Sequence, residues 1–207
     1  MMKLSAVLAF LLLMFNPAAA QTITLLAFGD SLTAGYGLQP SDGFPVKLEA
    51  ALKARGHDVN VINAGVAGDT ALDGASRVDW ALSDDVDAVL VEFGANDALR
   101  GLPVPQAEQA LDQLLERLTE RKLPVLLAGM RAPPNLGPEY QKAFDGMYPR
   151  LAEKHGTLLY PFFLEGVAAD PKLNQADGMH PNPAGVDVIV ARILPSVESL
   201  LEKAAAN

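Results

Sequence analysis

The sequence predicts an α/β fold, a five-stranded parallel sheet with helices over both faces. Two observations predict it. Short apolar runs alternate with segments of helical period along the chain. The runs are also continuously apolar rather than alternating, as in Ala88-Val89-Leu90-Val91, which marks strands buried on both faces. Right-handed crossovers limit the topology. A flavodoxin-like order, 2-1-3-4-5, is expected, with its switch point between strands one and three.

The N-terminus is a separate object. Lys3 is a small basic start, residues 4–15 are apolar, Pro17 breaks the run, and Ala18-Ala19-Ala20 offers a small-residue cleavage site. The apolar run is too short to span a bilayer comfortably. A secretory signal peptide is expected over residues 1–20 and one domain over 21–207, in a bacterial periplasmic or secreted protein. An uncleaved anchor helix is the alternative. The chain has no cysteine, so it forms no disulfide and offers no thiol for lipid attachment. Half of its residues are hydrophobic, enough for a full core, and its formal charge is −9. An acidic chain lacks the basic footprint of a nucleic-acid binder. With no exposed heptad pattern, a monomer without stable membrane insertion is expected.

After the leader, Thr24 to Phe28 reads as strand one. Phe44 to Arg55 repeats apolar residues at helical spacing and stops at Gly56. Val59 to Asn63 is strand two. Thr70 to Leu82 reads as a helix interrupted by Gly74. Asp87 to Phe93 is strand three. Pro105 to Lys122 is the clearest amphipathic helix, with Leu111, Leu114, Leu115 and Leu118 as its stripe. Pro124 to Gly129 is strand four, and Pro138 to His155 a helix with a kink expected at Pro149. Thr157 to Phe162 is strand five. Pro183 to Ala205 is the last helix, with a second kink expected at Pro195.

Strand one ends in Gly29-Asp30-Ser31-Leu32. Gly29 permits a sharp turn, which puts the Ser31 hydroxyl at the carboxyl edge of the sheet, where ligands bind in open parallel sheets. These residues alone leave an ordinary strand-ending turn open. A serine nucleophile needs a base within hydrogen-bond reach, and topology sorts the three histidines. His57 and His155 both precede strands and fall at the amino edge, roughly 17–20 Å away across a strand of five or six residues. Only His180 follows a strand. Asp177 stands three residues before it, in Asp177-Gly178-Met179-His180, close enough to hold the imidazole in one tautomer. A helix-entry loop in which Asp177 pairs locally is the alternative. Two further loops reach the same edge. Gly68 can offer an unobstructed backbone N–H and Asn96 a side-chain amide to an oxyanion. Equally, Gly68 suits a glycine-rich, phosphate-binding helix entry and Asn96 a helix cap.

Together, Gly29-Asp30-Ser31-Leu32, Gly68, Gly94-x-Asn96-Asp97 and Asp177-x-x-His180-Pro181 resemble the blocks of the SGNH hydrolases, also called the GDSL family, in the family's order. The likeness extends from about Thr24 to the last helix. It is greatest to the small bacterial thioesterase and arylesterase members, through Asn96-Asp97-Ala98-Leu99-Arg100-Gly101 and Tyr160-Pro161-Phe162-Phe163. The resemblance implies a three-layer α/β/α sandwich and hydrolysis of esters and thioesters through an acyl-enzyme on Ser31. His180 would be the base and Asp177 its orienting partner. The N–H groups of Ser31 and Gly68 and the Asn96 amide would form the oxyanion hole. No metal or cofactor is implied. Leu72, Val78, Trp80, Leu99, Pro133 and Met179 are the expected apolar lining for an acyl or aryl group, although Leu72, Val78 and Trp80 equally suit the core stripe of a helix. If the resemblance holds, residues 75–80 form a mobile loop hinged at Gly74. Two other substrates are weighed. Acetylated carbohydrate would use the same site, but a single Trp in the chain argues against a sugar groove. A metal-dependent phosphohydrolase would use Asp30, Asp69, Asp97 and Asp177.

Overall fold

The computed structural model describes residues 22–207. The expected leader, residues 1–20, lies outside them. The strands are β1 (Ile23–Gly29), β2 (Val59–Gly65), β3 (Ala88–Glu92), β4 (Val125–Ala128) and β5 (Leu158–Tyr160). They form one sheet in the order β2-β1-β3-β4-β5, with every pair parallel. The order is the one expected, and so is the burial. Leu25, Leu26, Phe28, Val89, Leu90 and Val91 are all closed off from solvent on both faces.

The helices are α1 (Ser31–Ala34), α2 (Phe44–Ala54), α3 (Ala71–Ala81), α4 (Ala95–Leu99), α5 (Val104–Glu120), α6 (Pro138–His155) and α7 (Pro183–Ala205). α2 and α7 pack together on one face of the sheet, and α3, α5 and α6 on the other, which makes the three-layer sandwich. α5 buries Ala107, Leu111, Leu114, Leu115 and Leu118 and turns Gln106 and Glu116 to water, as its 3.6-residue period requires. α6 and α7 continue through Pro149 and Pro195 as single elements. No helix among the described residues is long and apolar enough to cross a membrane.

Beyond small shifts at element ends and the short helices α1 and α4, which the sequence does not mark, three elements depart from expectation. β2 runs on to Gly65 because its pairing with β1 continues as far as Gly29 opposite Gly65. β5 is shorter than expected, since its ladder with β4 slips by one residue after Tyr160. There the chain crosses over, and Gly129 N–H donates to Tyr160 O while Phe163 N–H donates to Gly129 O, each at 2.8 Å. Most informative is α3. It is one unbroken helix, closed at its start by a capping box in which Thr70 and Asp73 satisfy each other's backbone N–H. Residues 75–80 are therefore helical, and Gly74 is not an interruption. Its missing side chain lets the helix lie on Phe93, whose ring carbons would stand 2.6–2.9 Å from any Cβ placed there. Overpacking of this kind costs about 1–3 kcal/mol. Gly74→Val is accordingly expected to lower the denaturant midpoint at unchanged m-value. A midpoint equal to that of the parent would show that the contact between helix and ring does not require glycine.

Candidate active site

β1 ends at Gly29 and the chain enters α1 at once. Asp30 caps the turn, its Oδ1 accepting Leu32 N–H at 3.0 Å. Ser31 is thereby the first helical residue, standing half-buried at the carboxyl edge. Gly29 is needed there for space. A Cβ on it would lie 2.6 Å from both the backbone and the carboxyl oxygens of Glu92 and would also strike Thr33 Oγ1.

The histidine arrives from the other side of the sheet, on the long connection from β5 to α7. Asn174 bridges Pro181, Gln175 N–H donates to His180 O at 2.7 Å, and Asn182 caps α7 through Gly185 N–H at 3.0 Å. Within this closed turn Asp177 Oδ1 accepts the N–H groups of Met179 and His180 at 2.9 and 3.0 Å. Its Oδ2 pairs with His180 Nδ1 at 2.6 Å. His180 Nε2 then meets Ser31 Oγ at 3.0 Å. The His180 and Met179 N–H groups, followed by the imidazole, hold the Asp177 carboxyl down at about 2, so it is an anion whenever the imidazole needs a counter-charge. Tyr36, from the loop after α1, lays its ring 4.7 Å from that of His180. The other two histidines sit where topology predicts. His57 pairs with Glu198 and His155 with Asp112, away from the serine.

The two remaining loops close in beside Ser31. Gly68 follows β2 with φ +92°, a left-handed conformation that favours glycine. Arg100 donates to Gly68 O at 2.6 Å. Arg77 joins three chain segments, donating Nε to Asp69 Oδ2 at 2.7 Å and its two Nη groups to Ala64 O and Gly29 O at 3.0 Å each. None of the described residues accepts the N–H of Gly68 or of Ser31. Asn96 stands in the first turn of α4, after Gly94 (φ +118°). Its Nδ2 donates to Asp69 O at 2.9 Å and to Asp30 Oδ2 at 3.1 Å. Beside it, Asp97 Oδ2 accepts Ala71 N–H at 2.9 Å, fixing α4 against α3.

The four aspartates are thus dispersed. Asp69 serves Arg77, Asp97 serves α3, Asp177 serves His180, and Asp30 is buried against Glu92. The described residues hold no group of three or more His, Asp or Glu side chains arranged to take a metal ion. The phosphohydrolase reading thereby loses the cluster it required. The expected apolar lining divides. Leu72, Leu99 and Met179 are each about half exposed on the helix ends and loops of the carboxyl edge, and Pro133 is half-buried after β4. Val78 is not among them. It is 2% exposed, on the core side of α3. Trp80 is excluded as well. It is 87% exposed but lies in the last turn of α3, about 12 Å along the axis from Leu72 and toward the amino edge. A cavity of about 880 Å³ lined by Ile23, His57, Val86, Leu123 and Leu201 opens at that amino edge and shares no residue with the Ser31 site.

A serine hydroxyl bonded to an imidazole that is itself bonded to a carboxylate, at the strand-end edge of an α/β/α sandwich, is the constellation of a serine hydrolase. A family model described as the GDSL-like lipase/acylhydrolase family matches residues 27–188, and the chain belongs to that family. It is 40% identical over 192 residues to Esterase TesA of Pseudomonas aeruginosa, covering 92% of this chain and 94% of that one. It is 40% identical over 176 residues to the thioesterase 1/protease 1/lysophospholipase L1 of Escherichia coli K12, covering 84% and 82%. Among solved structures it is similar to AlinE4, an SGNH-hydrolase family esterase, with TM-score 0.75 and 48% identity over 89% of this chain and 99% of that one.

Burial pushes the Asp30 carboxyl up to about 6, against the opposing Leu32 and Asn96 hydrogen bonds. A carboxyl raised by folding stabilises the fold below its unfolded pKa, near 4, and loses that contribution as pH rises through the folded value. Asp30→Asn keeps a capping side chain without the charge. Its stability relative to the parent is therefore expected to improve as pH rises from 4 to 7, as read from denaturant midpoints. A pH-independent difference would show that Asp30 ionises as freely folded as unfolded.

Proposed function

We propose that Ser31, His180 and Asp177 carry out a two-step hydrolysis of carboxylic esters and thioesters. The single observation behind the assignment is the unbroken chain from Asp177 Oδ2 through His180 to Ser31 Oγ, at 2.6 and 3.0 Å. His180 Nε2 takes the Ser31 proton as the hydroxyl attacks the acyl carbonyl. The protonated imidazole then gives that proton to the departing alcohol or thiol. Water, deprotonated in turn by His180, attacks the acyl-enzyme and releases the acid. Asp177 stays ionised throughout and stabilises the imidazolium.

The developing oxyanion is assigned to Ser31 N–H, Gly68 N–H and Asn96 Nδ2. The two backbone N–H groups are uncommitted. The clamps on Gly68 O and Asp69 restrain the Gly68 loop before substrate arrives, and such preorganisation is where donors of this kind gain their effect. Asn96 already donates both Nδ2 hydrogens, so it would share one between Asp69 O or Asp30 and the oxyanion. Leu72, Leu99, Pro133 and Met179 are assigned to the apolar part of the substrate. With residues 1–20 as a cleaved leader, the enzyme would act in the periplasm or outside the cell, as a domain of residues 21–207.

A p-nitrophenyl ester series measured on the parent and two variants tests this reading. Ser31→Ala is expected to lower kcat by at least ~10⁴-fold, and Asn96→Ala by ~10²–10³-fold, the usual loss for one oxyanion donor. On the parent, kcat/KM is expected to rise from acetate to longer acyl groups. Near-parental turnover in either folded variant contradicts the corresponding assignment, and a flat chain-length series contradicts the apolar lining.

A further inference from the structure

Directly beneath the nucleophile lies a carboxyl that the reaction does not use. Glu92, the last residue of β3, is completely buried. Its Oε2 accepts the Thr33 hydroxyl at 2.8 Å and faces Asp30 N–H at 3.4 Å. Its Oε1 is buried with no hydrogen-bond partner among the described residues. The Asp30 carboxyl, also completely buried, neighbours the Glu92 carboxyl.

We propose that Glu92 is a positioning residue that stays protonated and donates its carboxyl proton to Asp30, and that the Asp30 carboxylate so held fixes the Asn96 amide. The proposal rests on the reading of Asn96 as an oxyanion donor. Two adjacent carboxylates in an apolar interior cannot both ionise cheaply, so they share a proton. Hydrogen-bond supply decides which keeps it. Asp30 receives Leu32 N–H on Oδ1 and Asn96 Nδ2–H on Oδ2, and both favour its anion. Glu92 receives donors on Oε2 alone, which leaves Oε1 to bear the proton and the neighbouring Asp30 carboxylate to accept it. An unpartnered buried oxygen on an ionised Glu92 would carry a full desolvation cost.

The other groups facing the pair agree. His180 lies near Asp30, and Tyr148 from α6 brings no positive charge to the pair. Arg77 from α3 approaches only as far as Gly29 O, one residue before Asp30. Burial and the neighbouring Asp30 charge both push the Glu92 carboxyl well up. The pair therefore carries one negative charge where two would oppose the oxyanion forming on Ser31's substrate. That one charge orients Asn96 and caps α1 together.

The test combines infrared spectroscopy of substrate-free enzyme at neutral pH with steady-state kinetics. The parent is expected to show the carbonyl stretch of a protonated, buried carboxylic acid, which is lost in Glu92→Gln. Glu92→Gln, which keeps the donor and the neutral charge, is expected to hold kcat within about 3-fold. Glu92→Leu, which removes both, is expected to lower kcat about 10- to 100-fold with KM within about 2-fold, part of the loss of an oxyanion donor. Absence of the band from the parent overturns the proposal, as does a Glu92→Gln kcat as low as that of Glu92→Leu. If Glu92→Leu does not fold, the spectrum and Glu92→Gln still decide. The band is read without turnover, so its absence is separable from any failure of the hydrolase reading.

Discussion

The 3.0 Å contact between His180 Nε2 and Ser31 Oγ is the interaction on which the rest of the site depends. It joins residues 149 positions apart, and neither could reach the other without a parallel sheet. In such a sheet every strand delivers its chain to the same edge. β1 delivers Ser31, β2 the Gly68 loop, β3 Asn96, and the connection after β5 delivers His180. The sheet order adds a second condition. β1 is flanked by β2 and β3, so the loops that supply Gly68 and Asn96 fall on either side of the serine. β5 lies at the far edge, and its connection must travel back to arrive at Ser31.

That return explains the density of hydrogen bonds in the segment from Asn174 to Asn182. A histidine on a long loop would lose its geometry to chain entropy. Here the backbone is closed on itself at Asn174 and Pro181, and Gln175 Nε2 ties it to Tyr36 O beyond α1 at 2.8 Å. Asp177 contributes twice, orienting the ring through Nδ1 and fixing the turn through two N–H groups. Orientation of the imidazole and stability of the loop are therefore one set of contacts. The Gly68 loop is held in the same way, by Arg77 on Asp69 and Arg100 on Gly68 O.

Much of this was legible in the sequence because the signals are one-dimensional. Continuous apolar runs mark the buried strands, and position before or after a strand separates His180 from His57 and His155 without any coordinates. What was missed requires depth. Val78 and Trp80 belong to one helix, and only packing shows that one faces the core and the other points to solvent at the wrong end. Gly74 resembles a hinge in sequence and is a contact in space, because its meaning lies in Phe93, nineteen positions away. Arg77 and Arg100 are unremarkable surface cations until their carbonyl partners are seen. Glu92 did leave a signal, as the single charged residue in the apolar run from Ala88 to Phe93. A carboxyl at a strand position buried on both faces needs a partner or a proton.

The most direct test of the central claim is reaction of the folded enzyme with a fluorophosphonate probe, followed by peptide mapping. The account predicts one adduct, on Ser31, formed rapidly in the parent and largely lost in His180→Ala. Absence of any adduct, or labelling of Ser31 that is equally fast without His180, would contradict a histidine-activated nucleophile.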